Sequence, residues 1–149
     1  ILKSEVEVLV NLPIEATFDA FTDPQTYLKT PVVKSVNLLK PGIGGAPNTA
    51  GALREINLLA GKLVEEIPSA ERPNFMEYRF HEWPVPFKHA GGTMRFYAIG
   101  KQTRVVWDSA FELPGFLAIP FVSDFLNKTY GFSLERLARE LKRVAEIAI

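Results

Sequence analysis

The chain of 149 residues has no cysteine and only two histidines, and its 17 basic residues balance its 17 acidic ones. The lack of cysteine excludes a disulfide framework, a thiolate nucleophile and a cysteine-ligated metal, and two histidines disfavour a histidine-rich zinc site. Balanced charge argues against a nucleic-acid partner, because a basic face supplies most of the affinity for a polyanion. We therefore expect no metal, no cofactor and no nucleic acid.

Long apolar runs are also missing, since no stretch approaches the ~20 apolar residues that a membrane span needs. We expect no stable membrane insertion. Residues 4–11 alternate between polar and apolar side chains, which predicts a half-buried strand rather than a signal peptide. The cytoplasm is then the default compartment, although the chain begins at Ile1 rather than at methionine.

The remaining pattern predicts one domain over residues 1–149, since domains typically hold ~100–200 residues. Two short helices follow the first strand, and a long amphipathic helix over 121–149 closes the chain. The six further strands are expected over 32–39, 52–58, 62–69, 74–82, 92–99 and 103–113.

This order of elements predicts an α+β fold, in which a seven-stranded curved antiparallel sheet wraps around the long C-terminal helix. A helix that covers a curved sheet need not close tightly on it. We therefore expect a cavity between the two, lined by the phenylalanines that dominate the aromatic composition.

Strand alternation turns a few charged side chains toward this cavity. Arg54 shares the face of Ile56, and Glu65 and Lys34 share the faces of their apolar strand neighbours. Because an unpaired buried charge is unfavourable, Arg54 and Glu65 should pair with each other or with a polar group of a ligand. Lys34 or Arg54 could then hold a carboxylate or carbonyl. The alternative is a shift of one residue in register, which would turn these charges to solvent.

The other candidates are mostly aromatic. Tyr78 is either a proton donor or hydroxyl partner for a ligand, or a plain core aromatic residue. His89, in a proline-rich turn, is a candidate general acid. No Ser-His-Asp or paired-carboxylate spacing is present, so no residue is assigned as catalytic. The predicted cavity residues are Lys34, Arg54, Ile56, Glu65, Met76, Tyr78, Phe80, His89, Trp107, Ser109, Phe111 and Phe125.

Most of the chain resembles the START/polyketide-cyclase (SRPBCC) superfamily, whose helix-grip fold is shared by plant pollen allergens and abscisic-acid receptors. The resembling segments are Pro13–Phe21, Asp23-Pro24, Gly51–Asn57, Gly100–Trp107 and the closing helix. The resemblance implies that Lys34 or Arg54 acts like the strand lysine that meets the ligand's acidic group in the receptors, and that the proline-rich turn containing His89 is similar to the latch over the cavity mouth. It does not fix the function, because the superfamily includes carriers, hormone sensors, cyclases and co-chaperone domains.

The sequence favours binding or transport of a small, largely hydrophobic molecule with a polar head, since apolar walls with a few polar groups are typical of ligand pockets. One alternative is an enzyme like the polyketide cyclases and dehydratases, a lyase or isomerase, which would use Glu65, Tyr78 or His89. The other is a co-chaperone-like interaction domain whose interior is filled. A homodimer is compatible with each of these.

Overall fold

The described residues of a computed structural model, 1–84, 87–117 and 120–147, form a seven-stranded antiparallel sheet and three α-helices. The helices are α1 Ile14–Thr22, α2 Pro24–Tyr27 and α3 Pro120–Ile147. The strands are β1 Leu2–Val10, β2 Val33–Lys40, β3 Leu53–Leu58, β4 Gly61–Glu71, β5 Phe75–Glu82, β6 Lys88–Ile99 and β7 Gln102–Glu112. The predicted α+β helix-grip architecture is confirmed. The last two residues of the predicted long helix lie outside the described ranges.

The two short helices carry the chain from one edge of the sheet to the other. The strand order is β1-β7-β6-β5-β4-β3-β2, so β1 and β2 form the two edges although they are consecutive. Asp23 ends α1 and caps α2, its Oδ1 accepting the backbone N–H of Gln25 at 2.9 Å, and Pro24 occupies the first turn, where its missing N–H has no cost. Every later strand pairs with the one before it.

Helix α3 contributes to the core through its C-terminal half. Its buried residues, Leu134, Ala138, Leu141, Val144 and Ala145, recur at the spacing of one helical face. No helix among the residues described is long and apolar enough to cross a membrane.

Phe125 does not line the cavity, contrary to the prediction, and its side chain is 63% exposed. It lies on nearly the same side of the helix as Phe132, which does line the cavity, but about two turns, or about 10 Å, nearer the N-terminus. Apolar spacing along the helix therefore predicted the side on which Phe125 lies but not how far along the helix the cavity extends.

A glycine on β6 allows an aromatic ring to lie flat against the sheet. Gly92 is directly opposite Tyr78 in the β5–β6 register. A Cβ atom at this position would overlap the ring Cζ and Oη of Tyr78 and lie 2.5 Å from the carbonyl oxygen of Asp108. Both neighbours are buried, so neither can move away without disturbing the core.

We expect Gly92→Ala to lower the free energy of unfolding by about 1–3 kcal/mol, the usual range for overpacking a core. Gly131→Ala in α3 is the matched control, because a Cβ there meets Ser4 Oγ at an ordinary 3.6 Å and alanine favours helix by about 0.5–1 kcal/mol. Urea denaturation followed by circular dichroism measures both. A Gly92→Ala protein as stable as the unmodified chain would contradict the packing described.

Candidate functional site

A cavity of about 450 Å³ lies between the inner face of the sheet and α3. Its sheet wall is almost wholly apolar and is built by side chains of β2, β3, β4, β5 and β7, namely Val33, Ile56, Leu58, Leu63, Phe80 and Trp107. Alternation along the strands turns these residues to one side of the sheet. The arrangement can enclose an apolar molecule of modest size.

The cavity opens between α3 and the segment that follows α2. Val32 on one side and Phe132 on the other are 48% and 66% exposed, and both line the cavity. Arg136 and Glu140 of α3 complete this rim. The entrance therefore has apolar edges with charged groups beside them.

Arg54 and Glu65 form a buried ion pair at the inner end of the cavity. They are direct partners in the β3–β4 register, and the side chain of Arg54 is completely buried. Arg54 Nε donates to Glu65 Oε1 at 2.9 Å, and a second guanidinium nitrogen donates to the same oxygen. Arg54 and Glu65 thus pair with each other, which is one of the two pairings expected from the burial of their charges.

The third guanidinium nitrogen of Arg54 donates to the backbone carbonyl oxygens of Thr22 and Pro47. All three nitrogens are therefore bonded within the protein, and Arg54 lies behind the cavity wall rather than in it. Glu65 does line the cavity. The prediction that Arg54 offers a cation to a ligand is thus at odds with the structure, because each guanidinium nitrogen is already hydrogen-bonded within the protein and Arg54 does not line the cavity.

Lys34 also departs from its predicted position, since its side chain is exposed and does not line the cavity. A β-bulge between Val33 and Ser35 interrupts the pairing of β2 with β3. A bulge adds a residue to one strand and shifts the alternation of faces. Val33 consequently points inward and is 9% exposed, while Lys34 points away from the cavity wall.

Two polar side chains from α2 and the turn after it lie beside Glu65 in the cavity, Tyr27 and Thr30. Tyr27 Oη donates to the carbonyl oxygen of Phe21 at 2.9 Å, and Thr30 Oγ1 donates to that of Tyr27 at 2.7 Å. Burial, reinforced by the charge of Glu65, raises the pKa of Tyr27 far above its ordinary value. The sequence analysis did not identify either residue. Tyr27 belongs to the second predicted short helix and Thr30 lies between that helix and the next predicted strand, and no pattern in the sequence turns either side chain toward the cavity.

His89 belongs to a separate hydrogen-bonded cluster and not to a loop at the mouth. It lies on β6, is 2% exposed, and its Nδ1 accepts the backbone N–H groups of Phe80 and Gly91 at 3.2 and 3.3 Å. The ring proton must then reside on Nε2, which donates to Ser109 Oγ at 2.7 Å. Ser109 Oγ in turn shares a 2.6 Å hydrogen bond with Tyr130 Oη.

This His89–Ser109 pair cannot work as a base and nucleophile in the form observed. Nε2 would have to accept the hydroxyl proton, but it already carries one. Burial lowers the pKa of His89 to about 4, which keeps the ring neutral at pH 7. Ser109 is also fully buried and outside the cavity lining. The prediction of His89 as a general acid at the mouth is therefore corrected to a buried neutral donor.

Tyr78 is likewise satisfied inside the core. Its Oη donates to the carbonyl oxygen of Asp108 and accepts from Trp107 Nε1, each at 2.8 Å, and burial raises its pKa well above 10. Met76 and Phe111 are also buried without lining the cavity. Of the predicted residues, those that line the cavity are Ile56, Glu65, Phe80 and Trp107.

The depressed pKa of His89 predicts a loss of stability in acid. Between the unfolded value near 6.5 and the folded value of about 4, the unfolded chain binds more protons, so stability falls as the pH drops through this window. In His89→Gln the side chain stays neutral. We therefore expect its free energy of unfolding, relative to the unmodified chain, to improve by up to about 3 kcal/mol between pH 7 and 4.

Urea denaturation across this pH range is the measurement, and His81→Gln is the control, since that histidine is half exposed beside Glu66. Parallel pH curves for the unmodified chain and His89→Gln would show that His89 protonates freely in the folded protein.

Comparison with known proteins agrees with this architecture. No curated protein matches the sequence. A START superfamily protein from Mycobacterium smegmatis superposes with a TM-score of 0.78 at 17% identity, with all of both chains covered. The protein TTHA0849 from Thermus thermophilus superposes with a TM-score of 0.72 at 21% identity, with 98% of each chain covered.

The di-domain ARO/CYC protein BexL, from the BE-7585A biosynthetic pathway, superposes with a TM-score of 0.79 at 13% identity. The alignment covers 98% of this chain and 47% of BexL. At these identities the likeness shows the fold alone. The family model described as polyketide cyclase / dehydrase and lipid transport matches residues 2–142. The chain therefore belongs to the polyketide cyclase/dehydrase and lipid transport family.

Proposed function

We propose that this protein binds or carries a small, largely hydrophobic molecule, with one polar group, in the cavity between the sheet and α3. The observation that carries the proposal is the cavity itself, about 450 Å³ with apolar walls and a single buried carboxylate, that of Glu65. Ligand pockets are typically about 300–1,000 Å³ and mainly apolar, with few polar groups. Membership of a family described by both cyclisation and lipid transport supports the same reading.

Binding is favoured over catalysis because the cavity holds little titratable machinery. Of the three candidate groups, His89 and Tyr78 are hydrogen-bonded in the core and do not line the cavity. Of those candidates Glu65 alone borders the cavity, and Arg54 already binds its carboxylate. An interaction domain with a filled interior, the other alternative, is disfavoured by the open space beneath α3.

A cavity-filling substitution tests the proposal. Leu137 lines the cavity from α3, and Leu137→Trp would place an indole in the space that the ligand occupies. We expect the affinity for the neutral dye N-phenyl-1-naphthylamine to fall by at least about tenfold, a loss of about 1.4 kcal/mol. Dye fluorescence titration measures this, and native mass spectrometry of the gently purified chain shows whether it carries a molecule.

Leu39→Trp is the matched control, because Leu39 lies on β2, is 50% exposed and does not line the cavity. It should leave dye binding unchanged. Equal affinity of the two variants would place the dye elsewhere. A chain that takes up no apolar molecule in either assay would refute the proposed function.

A further inference from the structure

We infer that the cavity selects a ligand whose polar group is a neutral hydrogen-bond donor, in the simplest case a hydroxyl, and that the acceptor is Oε2 of Glu65. The inference deepens the proposed function and rests on it. It reverses the expectation of an acidic ligand held by Lys34 or Arg54, since Lys34 is exposed and the nitrogens of Arg54 are bonded within the protein.

The first support is an oxygen without a partner. Both hydrogen bonds that Arg54 makes to Glu65 end on Oε1, and no donor among the described residues contacts Oε2. Among the described residues, every fully buried side-chain nitrogen or oxygen has a hydrogen-bond partner. Oε2 is therefore not fully enclosed by protein, and the space that Glu65 borders is the cavity.

The second support is that the neighbouring polar groups have already donated their protons. The hydroxyls of Tyr27 and Thr30 donate to backbone carbonyl oxygens, and the indole N–H of Trp107 donates to Tyr78. All three residues line the cavity. The inner end of the cavity consequently presents lone pairs and no free proton among the residues described. A ligand there must supply the donor.

The charges of the ion pair then determine which polar group of a ligand is favoured at Oε2. Arg54 and Glu65 balance each other, so an ammonium group would add an uncompensated cation and a carboxylate would face another carboxylate. A hydroxyl donates to Oε2 and leaves the balance unchanged. Hydrogen bonds to charged acceptors are roughly twice as strong as neutral ones. This contact therefore gives selectivity inside otherwise apolar walls.

Arg136 is the competing anchor for an acid, since it lines the rim. Its side chain is exposed, and an ion pair in contact with water adds little affinity. An acid bound there would also leave Oε2 of Glu65 without a partner. Binding at Glu65 thus predicts a preference for a ligand with a hydroxyl group, whereas binding at Arg136 predicts a preference for an acid.

Isothermal titration of the full chain with decan-1-ol, decyl methyl ether and decanoate tests the inference. The alcohol and the ether differ in the proton that Oε2 would accept. We expect the alcohol to bind at least about tenfold tighter than the ether and than decanoate. In Glu65→Gln the acceptor becomes an amide, and the preference for alcohol over ether should shrink to within about threefold.

Glu66→Gln is the matched control, because the adjacent carboxylate is paired with the exposed His81; it should keep the preference of the unmodified chain. Should Glu65→Gln not fold, the alcohol and ether affinities of the unmodified chain decide alone. Equal binding of the two overturns the inference while leaving the proposed function intact. Tight decanoate binding that is lost in Arg136→Gln also overturns it. If neither these ligands nor the neutral dye binds, the proposed function itself fails.

Discussion

The guanidinium group of Arg54 is the point on which the inner end of the cavity depends. It joins β3 to the carboxylate of Glu65 on β4, to the last carbonyl of α1 and to the loop at Pro47. The C-terminal end of a helix leaves carbonyl oxygens without partners, and a cation there also interacts favourably with the negative end of the helix dipole. A buried ion pair by itself contributes little net stability. Its effect here is to fix positions, because the guanidinium of Arg54 on β3 holds β4, the end of α1 and the loop at Pro47 in place.

The interior is divided into a packed half and an open half. In the packed half, hydrogen bonds link Tyr78 with Trp107 and His89 with Ser109 and Tyr130, so polar groups are satisfied without water or ligand. In the open half, the apolar wall ends at Glu65. Trp107 belongs to both, since its indole N–H is bonded in the packed half while its ring lines the cavity. This division explains why so many inward-facing residues do not border the cavity.

Alternation predicted the face of most strand residues correctly, including Glu65 and Trp107, because one side of each strand packs toward the helix. It failed at Lys34, where a bulge that leaves no mark in the sequence shifts the register. Helical spacing failed at Phe125, since periodicity gives the side of a helix on which a residue lies but not how far along the helix the cavity extends. The proton position on His89 depends on two backbone amides, and no pattern of side chains contains that information.

Within a fold that serves many functions, the polarity of the cavity depends on which member of the ion pair faces it. Arg54 and Glu65 are direct neighbours across two strands, so either side chain could in principle border the open space. The carbonyls of Thr22 and Pro47 decide the outcome, because they draw the guanidinium behind the wall and leave one carboxylate oxygen in front. Two backbone acceptors outside the cavity, supplied by α1 and a loop, therefore determine that its inner end accepts hydrogen bonds rather than donates them.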